Sequence, residues 1–432
     1  MLERIFQLKE RKTTVSTEII AGLTTFMTMA YILFVNPDIL SDAGMPKEAV
    51  LTATALAAAL TTILMGLFTN YPFALASGMG LNAFFAYTIA GQSSWEVALG
   101  AVFISGVAFA VLAITGIITK IDHAVPTSLK RAVSAGIGLF IAFIGLKNSE
   151  IIVSSEATLL ALGDITEPAT LLALIGIVIT GALMALRVKG ALLIGIVATT
   201  VIGFPMGVSG SIENGITAMP TLEGIVFQLD IRGAVTGLGF MTIFALIFVD
   251  LFDTMGTLMG TGARAGYLDK NGNLPKVKNA MLVDSVGTIF GSMVGTSTVT
   301  TYVESTAGVS EGGRTGLTAV TTGLLFLVAI FFSPLALVVP GAATAPALVI
   351  VGVLMMGAVK DIDFEDFTEA FPAFLTIIFM PFAFSIAHGI SVGFIAYPLV
   401  KVCSGKYKSV HWFMYVLAFA SLLHLMIEAG VF

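Results

Sequence analysis

The chain alternates long apolar runs with short polar breaks. A helix needs about 20 apolar residues to cross the hydrocarbon of a bilayer. Runs of that kind lie at 18–37, 50–69, 96–119, 130–146, 168–187, 189–207, 237–259, 279–294, 316–338, 343–359, 370–387 and 389–403. Two further segments, 74–91 and 296–310, are too short or too polar to be ordinary spans. Counting both gives fourteen crossings, and one more apolar run, 411–429, follows.

The second odd segment reads TSTVTTYVESTAGVS, rich in hydroxyls and carrying one acid, Glu304. Its first part has strand propensity. ESTAGVS can start a short helix with Ser or Thr near the cap. The first odd segment reads ALAS and then GMGLNAFFAY. Irregular backbone at membrane depth is tolerated only where protein buries it or where it lines a cavity. Two half-helices starting near mid-membrane aim free N–H groups and positive dipole ends at one place.

Composition agrees with a bilayer protein. Of 432 residues, 57% are hydrophobic and 11% charged, against roughly 25% charged in soluble domains. The 45 glycines suit close helix packing in lipid. The net charge of −6 gives no reason to expect a nucleic-acid partner. A single cysteine, Cys403, excludes an internal disulfide. The polar start MLERIFQLKERKTTVS gives no expectation of a cleavable signal peptide.

If the N-terminus is cytoplasmic and all fourteen segments cross, 18 of the 21 Lys and Arg fall on the cytoplasmic side. Only Lys47, Lys147 and Arg232 fall on the other. That is the bias expected of a plasma-membrane protein in this orientation. Run 411–429 fits either a fifteenth span or an interfacial helix, with Trp412 near its start.

The two odd segments are each third in a set of seven. DHAVP (122–126) and ALVVP (336–340) close the next long span of each half, and ALRVKGALLIG (185–195) and SIAHGISVGFI (385–395) mark the turn of each last pair. Seven is odd, so the halves have opposite orientation, the inverted-repeat pattern of secondary transporters. The expected fold is an all-α polytopic protein with a 7+7 inverted repeat, segments 3 and 10 being a short strand plus a half-helix. The repeats are placed at 1–209 and 237–432, with 208–236 as linker.

The candidate site residues are mostly acids. Asp250 and Asp253 lie i,i+3 apart and share a helix face. An Asp at the centre of a membrane helix costs about 2.5–3.5 kcal/mol, so two need a reason. The plain alternative puts both at a helix end in headgroup water. Asp284, near Lys278, reads as interfacial or as a structural partner. Asn82 has a helix–helix hydrogen bond as its plain reading, and Glu304 a buried ion pair, although only Arg314 could approach it, from the cytoplasmic end. His388 reads as structural.

At these residues a family resemblance appears. AGLTTFMTMAYILFVNP (21–37), SGMGLNAFFAY (77–87), VDLFDTMGTL (249–258), GTSTVTTYVES (295–305) and TAPALVIVGVLM (344–355) together resemble the purine permeases of the nucleobase–ascorbate (nucleobase:cation symporter-2) transporter superfamily, closest to the adenine/guanine/hypoxanthine branch. The resemblance implies a core domain from 18–119 and 237–338, a gate domain from 130–207 and 343–403, antiparallel strands in segments 3 and 10, proton symport and often a homodimer. It puts Asp253 at the family's substrate-binding acid with Asp250 beside it, Glu304 at the segment 10 acid with Tyr302 beside it, and Asn82 at the segment 3 amide.

The chemistry points the same way. A purine is flat and neutral, with N–H groups at its edge. A carboxylate accepts two of these, Asn adds a donor and an acceptor, and Phe84, Phe85 and Tyr302 offer walls for the ring faces. Asp253, Glu304, Asn82, Tyr302, Ser305 and Phe84 are therefore the expected substrate residues. Asp250, Asp253 and Glu304 are expected to share one exchangeable proton. No metal or cofactor is expected. No HExxH motif and no paired catalytic motif supports an enzyme. The expected activity is proton-coupled uptake of purine nucleobases, guanine and hypoxanthine favoured. The alternatives are an adenine-preferring permease and, further off, a cation channel.

Overall fold

The computed structural model describes residues 2–116, 124–211, 215–238, 240–270 and 274–429. Asp122 and His123 of the DHAVP sequence, the end of span 96–119, Gly239 and residues 212–214 of the linker lie outside the described residues.

A short helix α1 (Leu2–Phe6) precedes the first segment, which is two helices, α2 (Val15–Met29) and α3 (Ile32–Asp42), meeting at Ala30–Tyr31. Helix α4 (Lys47–Thr69) is segment 2. Segment 3 is strand β1 (Leu75–Ser77), helix α5 (Met79–Ala83) and a π-helical continuation, Phe84–Ala90. Helices α6 (Trp95–Thr115), α7 (Thr127–Asn148), α8 (Pro168–Ala185) and α9 (Ala191–Gly203) complete the first half. Between α7 and α8 a hairpin pairs β2 (Ile152–Ser155) with β3 (Leu159–Leu162), which the sequence pattern did not predict. The linker contains one helix, α10 (Ile231–Gly237).

The second half repeats the order. It runs α11 (Phe240–Arg264), α12 (Val277–Val294), β4 (Val299–Thr301), α13 (Ser305–Ser310), α14 (Gly316–Ala329) continued by α15 (Ser333–Leu337), α16 (Gly341–Met356), α17 (Phe367–Phe382) and α18 (Ile386–Cys403). Run 411–429 is helix α19 (Trp412–Glu428), packed on α18 and α11. Nine helices among the described residues are long and apolar enough to cross a membrane; shorter apolar helices take the positions 74–91, 189–207 and 370–387, and α12 and α13 take 279–294 and 296–310.

The repeat is visible in the packing. α4 lies on α14 as α12 lies on α6, and α7 packs on both α16 and α17 while α16 also packs on α8. The contacts fall mainly into two groups, α2 to α6 with α11 to α15, and α7 to α9 with α16 to α18. At the centre of the first group β1 and β4 pair antiparallel, Leu75 opposite Thr301 and Ser77 opposite Val299. The same bond recurs in each half. The Leu75 N–H donates to Thr62 Oγ1 and that hydroxyl donates to the Leu75 carbonyl, both at 2.9 Å. The Val299 N–H and carbonyl do the same with Thr288 Oγ1, at 3.2 and 3.0 Å. The rungs continue beyond the strands, Tyr302 N–H to the Ala74 carbonyl and Gly78 N–H to the Thr298 carbonyl.

Helix starts leave orphan N–H groups, and two side chains from other segments satisfy those of α14. Buried Glu18 on α2 accepts from the peptide N–H groups of Arg314, Thr315 and Thr318. Asn70 Oδ1 accepts from Gly316 N–H at 2.8 Å. Here α4 and α14 cross so closely that a Cβ on Gly316 would run into the Gly66 backbone.

Candidate functional site

A cavity of about 500 Å³ lies between α5, α7, α11 and α16. Its walls include Leu81, Ile137, Phe252 and Met255, and its polar groups include Asp253, Lys130, Arg131 and Ser134. Exposed Thr127 and Arg131 line one end, so the cavity opens there. The Lys130 ammonium sits over the Phe252 ring, 5.2 Å from its centroid.

Helix α11 continues well past Asp253 to Arg264, so neither of its acids marks a helix end. The two differ in setting. Asp253 is half-buried and faces the cavity, whereas Asp250 is fully buried and neither carboxylate oxygen has a hydrogen-bond partner among the described residues. Asp250 lies within charge range of both Asp253 and Asp284. Of the two readings of Asp284 the structural one holds and the interfacial one does not, and its partner is not Lys278. Asp284 is fully buried, and its carboxylate accepts from Thr254 Oγ1 at 3.0 Å and Thr301 Oγ1 at 3.3 Å. Lys278 donates instead to the Ile114 carbonyl. The apolar length of α12 carries Asp284 a full turn and a half inside, away from the charged end.

Glu304, not Ser or Thr, occupies the cap position of α13, and its side chain makes no cap bond. Its carboxylate accepts from the Tyr31 hydroxyl at 2.8 Å. The Tyr31 and Tyr302 rings lie 6.4 Å apart, and Tyr302 donates to the Ser77 carbonyl of β1. Helix α11, which carries Asp253, packs on β4 and on α13, whose cap is Glu304. Of these residues Asp253 lines the cavity, whereas Glu304 and Tyr302 are not among its lining residues. No ion pair involves Glu304 among the described residues; the Arg314 guanidinium is taken by the Val309 and Gly313 carbonyls.

The other predicted residues stand behind this cluster. Asn82 Oδ1 accepts from Ser297, a bond between segments 3 and 10, while its buried Nδ2 has no partner among the described residues. Ser305 Oγ accepts from the Ala74 N–H at 2.9 Å and so fixes the strand crossing. Phe84 is fully buried and is not among the cavity-lining residues.

Two residues escaped the sequence reading. Tyr31 sits where segment 1 breaks, and the break within AYILFVNP was the available signal. Asn36, from the same stretch, donates to Thr54 (2.8 Å), Ser77 (3.3 Å) and Thr296 (3.0 Å), tying four segments together.

Broken segments crossing at a small sheet, beside an acid-bearing cavity between two helix groups, define a polytopic carrier fold. Residues 16–392 match the Permease family (Xan_ur_permease), and the chain belongs to that family. It is 53% identical over 420 residues to a putative permease, MJ0326, of Methanocaldococcus jannaschii, covering 96% of each chain. It is 46% identical to the adenine permease AdeP of Escherichia coli, covering 95% of this chain and 92% of AdeP. It is 44% identical to the guanine/hypoxanthine permease PbuO of Bacillus subtilis, covering 98% of this chain and all of PbuO. The fold is shared with the transmembrane domain of the cyanobacterial bicarbonate transporter BicA, with a TM-score of 0.64 at 14% identity, covering 88% and 97% of the two chains.

Proposed function

We infer that this chain is a secondary carrier that takes up purine nucleobases together with protons across the plasma membrane, guanine and hypoxanthine favoured. The observation that carries this reading is Asp253, a carboxylate half-buried in the wall of a largely apolar cavity with the Glu304–Tyr31 pair close by. A neutral, flat ring with N–H groups along its edge fits such a site. It offers donors to carboxylates and asks for no counter-charge.

In this reading Asp253 and Glu304 accept the ring N–H groups and Tyr302 meets the ring face. The unpartnered amide of Asn82 serves another ring edge, and Phe84 and Ser305 act as support from behind. Asp250, Asp253 and Glu304 hold the exchangeable proton. The core, 18–119 and 237–338, moves against the gate, 130–207 and 343–403, and the substrate leaves chemically unchanged, as a carrier rather than an enzyme would release it. The N-terminus is cytoplasmic, and the working unit in the bilayer is a homodimer.

Adenine is the second reading, favoured by the 46% identity to AdeP, slightly above the 44% to PbuO. Uptake of labelled hypoxanthine into proteoliposomes, with unlabelled adenine, guanine, hypoxanthine, xanthine and uracil as competitors, separates the two. Accumulation should follow an imposed proton gradient. Accumulation that follows sodium alone, or competition by none of the purines, overturns the reading.

A further inference from the structure

The cavity is open at one end of two helices that are fastened at the other. Helix α7 lines the cavity with Lys130, Arg131, Ser134 and Ile137 and ends at Asn148. At a rise of about 1.5 Å per residue, Arg131 and Asn148 are about 25 Å apart along the axis. Helix α16 reaches the cavity with Met355 and begins at Gly341. Its Thr344 is about 16 Å from Met355 by the same rise.

At these far ends the two helix groups are joined. The Asn148 amide donates to Asp42 Oδ2 at 2.9 Å and to Tyr87 Oη at 2.8 Å, and the Tyr87 hydroxyl donates to Asp42 Oδ2 at 2.6 Å. A short bond joins the Thr344 hydroxyl to Asp38 Oδ2, while Asp38 Oδ1 pairs with Lys47 at 2.8 Å. Asp38, Asp42 and Tyr87 belong to segments 1 and 3; Asn148 and Thr344 belong to α7 and α16. The space left beside them is about 10 Å³, lined in part by Val35, Ile39, Ala345 and Leu348. That is at the lower limit for one water. The same pair of helix groups is thus separated by a wide cavity at one end and sealed at the other.

We propose that the Asp42–Tyr87–Asn148 cluster and the Asp38–Thr344 bond are the latch closing the face opposite the cavity, and that transport requires both to break. On the gate side both donors are neutral, the Asn148 amide and the Thr344 hydroxyl. Such bonds to a carboxylate close against water at modest net gain, which lets them open again. Tyr87 lies in the π-helical stretch of segment 3, a distortion that recurs at functional sites. This proposal rests on the reading of the chain as a carrier with two moving groups, but not on which solute it carries.

The test uses purified full-length protein with Cys403→Ser as background and one introduced thiol. Ser134→Cys reports the cavity. Ala345→Cys, at a position only 2% exposed beside the small void, reports the latch face. A charged methanethiosulfonate should label the first quickly and leave the second unlabelled. Adding Tyr87→Phe and Thr344→Val, which remove only the latch hydroxyls, should speed labelling at Ala345→Cys at least fivefold and slow it at Ser134→Cys. An unlabelled Ala345→Cys in the monodisperse double variant, or faster labelling at both positions, overturns the latch. Joining cysteines at Asp42 and Asn148 with a short reducible linker should stop uptake until the linker is cleaved. Uptake that continues with the link complete overturns it as well. Labelling needs no substrate, so a failure to carry nucleobases would leave this result standing on its own.

Discussion

The Tyr31 hydroxyl donates to the Glu304 carboxylate at 2.8 Å across 273 residues of sequence. The bond orients the carboxylate at the start of α13. Replacing Glu304 by Gln keeps the shape but puts a donor where an acceptor stood. Leaving a buried polar group mismatched costs about 1–3 kcal/mol. Purine binding to Glu304→Gln, measured by calorimetry on purified protein, should weaken at least tenfold with expression unchanged. Unaltered affinity would remove Glu304 from the site. Tyr31→Phe should weaken binding in the same direction by a smaller factor.

Asp253 faces the cavity while Asp250 is buried among other acids. Asp253→Asn should abolish concentrative uptake into proteoliposomes. Asp250→Asn should retain binding but lose part of the response to an imposed proton gradient, because it removes a charge that Asp253 feels. Full gradient response in Asp250→Asn would separate that residue from coupling.

The two hydroxyls that clasp the strands should contribute alike. Thr62→Val and Thr288→Val each strip one donor and one acceptor from a buried strand end. Each should cost about 1–3 kcal/mol or more, read as a lowered melting temperature in detergent. A neutral result at one site and a large loss at the other would contradict the equivalence of the halves.

Close helix crossing makes a sharp contrast among the glycines. Gly316→Ala drives a methyl into the Gly66 backbone, an overpacking worth about 1–3 kcal/mol. Gly256 and Gly260 border the cavity and an added Cβ at either meets nothing within 4 Å. Thermal unfolding should therefore show Gly316→Ala strongly destabilised and Gly256→Ala unchanged.

Much of this architecture was legible in apolar run length. The spans appear as helices among the described residues, and the two segments that failed the length test are the strand-plus-helix ones, although segment 1 also breaks, at Ala30–Tyr31. What run length could not reveal was contact across the chain. Nearness to Lys278 left Asp284 between an interfacial and a structural reading, and only the fold shows it structural, with Thr254 and Thr301 as its partners. Tyr31 looked like one more aromatic in an apolar run because its partner is Glu304, in the other half. The i,i+3 spacing put Asp250 and Asp253 on one face, but burial differs across that face where the cavity begins. The β2–β3 hairpin carries no strict alternation, and nothing local announced it.

The strand crossing also dictates an order of assembly. Ala74 receives its bond to Ser305 from 231 residues further along, so β1 must be made, inserted and held in lipid long before β4 exists. Unpaired backbone in hydrocarbon costs several kcal/mol per group. Thr62 removes much of that cost in advance, since it satisfies both the N–H and the carbonyl of Leu75 from within the first two segments. A nascent first half can therefore wait with its strand parked on a neighbouring hydroxyl, and only the arrival of the second half during synthesis completes the ladder.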